Sequence, residues 1–98
     1  MVTKPLRIGV AGLGRIGWHF HCRTLAPHPD FELVAVQDIE LERRQEAERT
    51  YGVTAYAEFA DLLRHPGLDV VTIATPTHLH RDMALAALSA GRHVVIEK

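Results

Sequence analysis

The chain has 98 residues, of which 47% are hydrophobic and 23% charged, and its formal net charge is −1. This length suits a single domain, and the nearly neutral charge argues against a nucleic-acid interface, which needs a basic surface. No apolar run approaches the ~20 residues of a membrane span, and the first residues lack the apolar core of a signal peptide. Cys22 is the only cysteine, so we expect no intrachain disulfide or cysteine metal cluster, and a cytoplasmic location.

Strand-like and helix-like segments alternate along the chain. Strands are predicted at residues 6–11, 31–37, 53–56, 69–75 and 93–98, and helices at residues 15–26, 40–51, 58–64 and 80–90. In the last helix we expect four apolar side chains to face inward: Met83, Ala84, Ala87 and Leu88. Strict alternation of this kind predicts an α/β domain, residues 1–98, with about five strands in a doubly wound parallel sheet.

The first predicted helix carries apolar residues on two faces. Ile16 and Phe20 share one face, and Trp18, Cys22 and Leu25 share the other. A helix that lies on a sheet needs only one apolar stripe. The second stripe therefore contacts either a neighbouring helix, which is the simpler interpretation, or a partner domain outside this chain.

Residues 8–17 read IGVAGLGRIG, an apolar strand that turns through G-x-G-x-x-G into a helix. This is the context of the dinucleotide-binding fingerprint, although a tight turn without a ligand is the alternative. Gly12 permits the sharp turn, Gly14 lets the backbone approach a pyrophosphate, and Gly17 lets the helix pack closely on the strand. The free N–H groups at the helix start favour the anion. We expect cofactor contacts from Gly12, Leu13, Gly14, Arg15, Ile16 and Gly17.

Asp38 closes the second predicted strand, 21 positions after Gly17. The fingerprint requires an acidic residue about 20 positions on, which binds the adenosine ribose. Ile39 and Glu40 follow, so we expect no cation beside Asp38 to receive a 2′-phosphate. The arginines at positions 43 and 44 come later, on a predicted helix whose charges we assign to a solvated face. We therefore predict NAD as the cofactor in preference to NADP. The alternative interpretation of Asp38 is a turn or helix N-cap residue.

Three segments together resemble one family: GLGRIG, ATPTHLH at residues 74–80, and HVVIEK at residues 93–98. The chain is similar throughout to the N-terminal, Rossmann-type domain of the glucose–fructose oxidoreductase, inositol dehydrogenase and rhizopine-catabolism (Gfo/Idh/MocA) family. That family shows T-P-N-x-x-H after the fourth strand and E-K-P after the fifth. Thr77 stands where the family has asparagine, which changes a hydrogen-bonding group near the cofactor.

The resemblance implies roles for five residues. Thr75 and Pro76 line the dinucleotide, Glu97 lies near the nicotinamide ribose, and Lys98 reaches the substrate hydroxyl. Beside a positively charged nicotinamide ring, a lysine loses proton affinity and suits a proton relay or hydrogen-bond donor; a frayed terminal residue is the alternative. His80 either shapes the loop or lies next to the cofactor, or it simply begins a helix.

The resemblance also implies a second domain that supplies the substrate pocket and the oligomer interface. We expect residues 1–98 to be the cofactor-binding part of a dehydrogenase that oxidises a secondary alcohol of a sugar or cyclitol, with no nucleic-acid or membrane partner. Two alternatives are a non-catalytic dinucleotide-binding module and an enzyme of the glyceraldehyde-3-phosphate dehydrogenase type, for which a lone Cys22 is awkward. The absence of the second domain suggests a fragment, an isolated domain or a shortened reading frame.

The chain has seven histidines, but their spacing does not predict a metal site. His19 and His21 are two positions apart on a helix, so they point to different faces. His78 and His80 form an H-x-H pair without a third ligand nearby, whereas zinc takes three or four protein ligands.

Overall fold

The computed structural model describes residues 4–97, except for the side chain of Phe20. The strands are β1 Leu6–Ala11, β2 Phe31–Gln37, β3 Thr54–Tyr56, β4 Val70–Ile73 and β5 His93–Ile96. The helices are α1, which is π-helical over Ile16–Cys22 and α-helical over Arg23–Leu25, then α2 Leu41–Tyr51, α3 Phe59–Leu63 and α4 His80–Ser89. A 3₁₀ turn, Thr77–Leu79, precedes α4.

All strand pairs are parallel, in the order β3-β2-β1-β4-β5. The chain leaves β1 towards β2 on one side and later returns to β4 on the other. The strand order therefore reverses at β1, and the crevice at the carboxyl ends of β1 and β4 is where ligands bind in such sheets. The predicted doubly wound, Rossmann-type sheet is confirmed.

Two apolar clusters fill the space between sheet and helices. The cluster on the α1 and α2 side contains Trp18, Cys22 and Leu25, and the Trp18 ring packs edge-on against Tyr51 of α2 with centroids 5.2 Å apart. This face of α1 thus contacts a neighbouring helix as well as the sheet. Ile16, on the other predicted face, is 43% exposed.

The apolar cluster on the other face of the sheet is covered by α3 and α4. Of the four α4 residues predicted to face inward, three do so and one does not. Met83 and Ala84 of α4 pack against it and Ala87 is fully buried, as predicted. Leu88 is 58% exposed instead. On a helix with 3.6 residues per turn it lies ~100° round from Ala87, beyond the edge of the sheet-facing stripe.

A bulge in β2 sets which side chains face the site. Ile8 of β1 pairs with Leu33 but Gly9 pairs with Ala35, so Val34 has no opposite residue. Val34 and Ala35 consequently both join the α3 and α4 cluster, while Val36 joins the other. Alternation along the strand then returns Gln37 to the α3 side.

Candidate functional site

A cavity of about 790 Å³ lies at the carboxyl ends of β1, β2 and β4. The β1–α1 turn, the end of β2, the β3–α3 connection and the loop after β4 all contribute to its wall. Five of the residues predicted to bind the cofactor line it: Gly12, Gly14, Asp38, Thr75 and Pro76. The structure therefore brings together groups from three separate segments of the chain.

The three glycines of the β1–α1 turn differ in what surrounds them. Gly12 has φ +91°, and a Cβ there would lie 2.8 Å from the carbonyl of Ala74. A Cβ on Gly17 would overlap the Gly12 oxygen. On Gly14 the nearest atom to a Cβ would be a guanidinium nitrogen of Arg43 at 4.0 Å. Gly12 and Gly17 thus permit tight packing, whereas Gly14 leaves open space, which fits a pyrophosphate.

The remaining residues of the turn face different surroundings. The Leu13 side chain is buried in the core, so only its backbone lies at the turn surface. Leu13 and Arg15 line a smaller groove of about 360 Å³, together with Trp18 and Arg43. Ile16 begins the π-helical segment at the helix start.

Asp38 is 5% exposed, and both of its carboxylate oxygens are engaged. Oδ2 accepts from the Leu13 N–H at 2.7 Å, and Oδ1 accepts from the Glu40 N–H at 2.9 Å. These bonds aim the carboxylate at the β1–α1 turn. Each oxygen retains a lone pair that can accept from a ligand hydroxyl.

A cation does lie beside Asp38, contrary to the expectation from the sequence. Arg43 places Nη1 3.5 Å from Asp38 Oδ2 and Nε 2.8 Å from Glu40 Oε2, and Arg44 Nη1 donates to the Asp38 carbonyl oxygen at 2.9 Å. The first turn of α2 folds back over the end of β2 and brings both arginines to it. The prediction that these arginines belong only to a solvated face is therefore wrong in part, because both contact Asp38.

The loop after β4 is held by side chains of α4. His80 Nε2 donates to the Thr75 carbonyl oxygen at 2.6 Å, and Thr75 Oγ1 lies 3.1 Å from Met83 Sδ. His80 thus shapes the loop that carries Thr75 and Pro76 along the cavity. Thr77, which replaces the family asparagine, is exposed at the start of the 3₁₀ turn.

Glu97 lies just after β5, where its N–H donates to the Ile73 oxygen at 3.0 Å. Its carboxylate accepts from Nε2 of His21, a buried residue of α1, at 2.8 Å. Sequence reasoning missed His21 because 76 positions separate the two residues and no linear spacing connects them. Lys98 lies outside the described residues, so its role stays a prediction.

The described part of the chain also bears on metal ligation, membrane crossing and thiol chemistry. Within residues 4–97 no three His, Cys, Asp or Glu side chains are grouped so that they could hold a metal ion. No helix in that range is long and apolar enough to cross a membrane. Burial raises the pKa of Cys22 to about 12, so its thiol is not suited to the nucleophilic role required by a glyceraldehyde-3-phosphate dehydrogenase.

Comparison with known proteins adds a family and relatives. The profile described as an oxidoreductase family with an NAD-binding Rossmann fold (GFO_IDH_MocA) matches residues 6–98. The myo-inositol 2-dehydrogenase of Thermotoga maritima is 36% identical over 94 residues, which cover 95% of this chain and 28% of that protein. The chain thus spans less than a third of the length of this relative.

Solved structures share the fold. The scyllo-inositol dehydrogenase of Lactobacillus casei with bound NAD(H) and scyllo-inositol has a TM-score of 0.91 and 32% identity, over 97% of this chain and 28% of that one. The 3-ketoreductase KijD10 of Actinomadura kijaniata, in complex with TDP-benzene and NADP, has a TM-score of 0.90 and 29% identity, over 97% and 30%.

Proposed function

This chain belongs to the oxidoreductase family with an NAD-binding Rossmann fold, and on that premise we propose that it is the cofactor domain of a dehydrogenase for a cyclitol or sugar. The observation that supports this most is that Gly14 and Asp38 line one cavity at the strand reversal point. An inositol dehydrogenase is similar in sequence to this chain, and a 3-ketoreductase shares its fold. We propose the oxidation of a substrate alcohol for the whole protein, because this chain matches only 28% of the length of the Thermotoga maritima dehydrogenase.

The residues of the chain act by binding and orienting. The open backbone at Gly14 and the free N–H groups at the start of α1 receive the pyrophosphate. Asp38 accepts hydrogen bonds from the adenosine ribose. Thr75 and Pro76 form the wall of the dinucleotide site next to β4. When bound, nicotinamide supplies the hydride acceptor. Glu97 would lie near the nicotinamide ribose, and Lys98 would either relay the proton released by the reacting alcohol or donate a hydrogen bond to its oxygen.

The charges around Asp38 favour NAD over NADP. Arg43 pairs with the carboxylates of Asp38 and Glu40, and Arg44 donates to the Asp38 carbonyl oxygen. A 2′-phosphate would therefore be repelled by two carboxylates and would compete with them for Arg43. Titration calorimetry of the 98-residue chain with NADH and NADPH tests this preference. We expect NADH to bind at least about tenfold more tightly. Equal affinities, or tighter binding of NADPH, would contradict it.

The catalytic role is tested in the full-length protein that contains this chain. With a panel of cyclitols and sugars, we expect NAD reduction, and Lys98→Ala lowers kcat about 100-fold or more while NAD affinity stays within about threefold. Lys4→Ala, at an exposed lysine, is the matched control. Full activity of Lys98→Ala would remove Lys98 from the mechanism. Intact NADH binding without turnover of any alcohol would favour the non-catalytic module.

A further inference from the structure

Gln37, the last residue of β2, is a buried polar side chain in the wall of the larger cavity and is only 6% exposed. Its Nε2 donates to the Ala57 carbonyl oxygen at 2.9 Å. Its Oε1 is buried and has no hydrogen-bond partner within the described part of the chain. Since buried amide oxygens are almost always paired, an unpaired one beside a cavity indicates a donor that binds there.

The bond to Ala57 determines which end of the amide is available. Turning the Gln37 amide over would set Oε1 against the Ala57 carbonyl, so two acceptors would meet and that carbonyl would lose its donor. The unpaired end of the Gln37 amide is therefore its oxygen Oε1, which can only accept a hydrogen bond from the occupant of the cavity.

The neighbouring wall suits a flat group attached to the ribose that Asp38 binds. Phe59, Leu79 and Met83 line the same cavity as Gln37 and Asp38. These side chains provide apolar surface for a ring, while Gln37 supplies a polar group of fixed orientation. This combination is typical of a site that holds a base and reads one of its edges.

We propose that Gln37 selects the base of the dinucleotide by accepting a hydrogen bond from the exocyclic amino group of adenine. This inference rests on the proposed dinucleotide function and specifies the base. Hypoxanthine and guanine carry a carbonyl oxygen at the corresponding ring position, so they would place an acceptor against Gln37 Oε1 with no proton between them. The site thus takes a 6-aminopurine and discriminates against 6-oxopurines.

The test compares ADP with IDP, which share the sugar and both phosphates, by calorimetry on the 98-residue chain. We expect the wild type to bind ADP at least about tenfold more tightly, because an unpaired buried acceptor discriminates strongly. Gln37→Met keeps a similar side-chain length but removes the acceptor, and it should narrow the ratio to within about threefold. Gln45→Met, the same change at an exposed position of α2, should keep the wild-type ratio.

Either of two results would overturn the inference while dinucleotide binding stands: equal affinities of the wild type for ADP and IDP, or an unchanged ratio in Gln37→Met. The second result would assign the unpaired oxygen to an ordered water. If Gln37→Met does not fold, as judged by circular dichroism, the ratio in Gln37→Leu decides between the same outcomes. Failure of the wild type to bind either nucleotide would overturn the proposed function and this inference together.

Discussion

His21 of α1 donates through Nε2 to Oε2 of Glu97, 2.8 Å away and beyond the end of β5. The bond connects the helix that follows β1 to the end of β5, although β4 lies between these two strands in the sheet. It joins the helix that follows the glycine turn to the residue that precedes Lys98. His21 belongs to the π-helical segment Ile16–Cys22 of α1. Such π-helical turns are frequent at functional sites.

Removing either partner of this bond should destabilise the domain. We expect His21→Ala and Glu97→Ala each to lower the free energy of unfolding by about 1–2 kcal/mol, because a buried group loses a hydrogen bond to a charged one. Urea unfolding of both variants and of the double variant measures the coupling, expected at about 1 kcal/mol. His93→Ala, at the exposed opposite end of β5, is the control. Strictly additive losses would show that the two side chains do not interact.

Asp38→Ala should narrow the preference between cofactors. The variant loses the acceptor for the ribose and leaves the Leu13 N–H without its bond, so we expect NADH affinity to fall about tenfold. NADPH affinity should fall less, because the repulsion of its 2′-phosphate also disappears. Calorimetric titration with both cofactors checks this, and an unchanged ratio would contradict the role of Asp38.

Arg43 should become a phosphate ligand once Asp38 no longer competes for it. In the Asp38→Ala background, we expect Arg43→Gln to lower NADPH affinity about tenfold and NADH affinity by less than about threefold. The matched control is Arg49→Gln, an exposed arginine further along α2. Should the two changes affect NADPH equally, the position of Arg43 beside the site would have no influence on selectivity.

Substitution by alanine should mainly lower stability at Gly17 and mainly lower dinucleotide affinity at Gly14. In Gly17→Ala the new methyl group would overlap the Gly12 oxygen, so we expect a loss of at least ~2 kcal/mol in unfolding free energy. In Gly14→Ala the methyl group has space in the protein, and stability should change by less than about 1 kcal/mol. Dinucleotide affinity should nevertheless fall more than about tenfold, because the methyl group occupies the pyrophosphate position. Thermal unfolding and NADH titration separate the two effects.

His65 should make stability depend on pH. Its Nδ1 lies 2.8 Å from the Tyr56 hydroxyl, and burial, then Arg7, lower its pKa from the usual 6.5. The unfolded chain therefore binds the proton more readily, and the free energy of unfolding falls as the pH drops below about 6.5 towards the lowered pKa of the folded state. His65→Asn should flatten this dependence between about pH 7 and pH 5, measured by urea unfolding. An equally steep dependence in the variant would exclude His65 as its source.

Local patterns in the sequence were sufficient to predict the architecture, the glycine turn and the position of Asp38. Strands and helices follow from the spacing of apolar residues, and the turn at Gly12, Gly14 and Gly17 follows from the backbone freedom that glycine alone provides. Asp38 was found because the distance from the glycine turn to the end of the next strand is nearly constant in this fold. Each of these features depends on residues close together in the chain.

The tertiary structure decided the features that depend on residues meeting across the fold. Arg43 reaches Asp38 because α2 folds back over β2, and His21 reaches Glu97 because parallel strands bring distant carboxyl ends to one edge of the sheet. That Gln37 Oε1 has no partner among residues 4–97 depends on the positions of all the side chains packed around it. A linear pattern records the period of an element but not which surfaces it meets, since those are set by the packing of the whole chain.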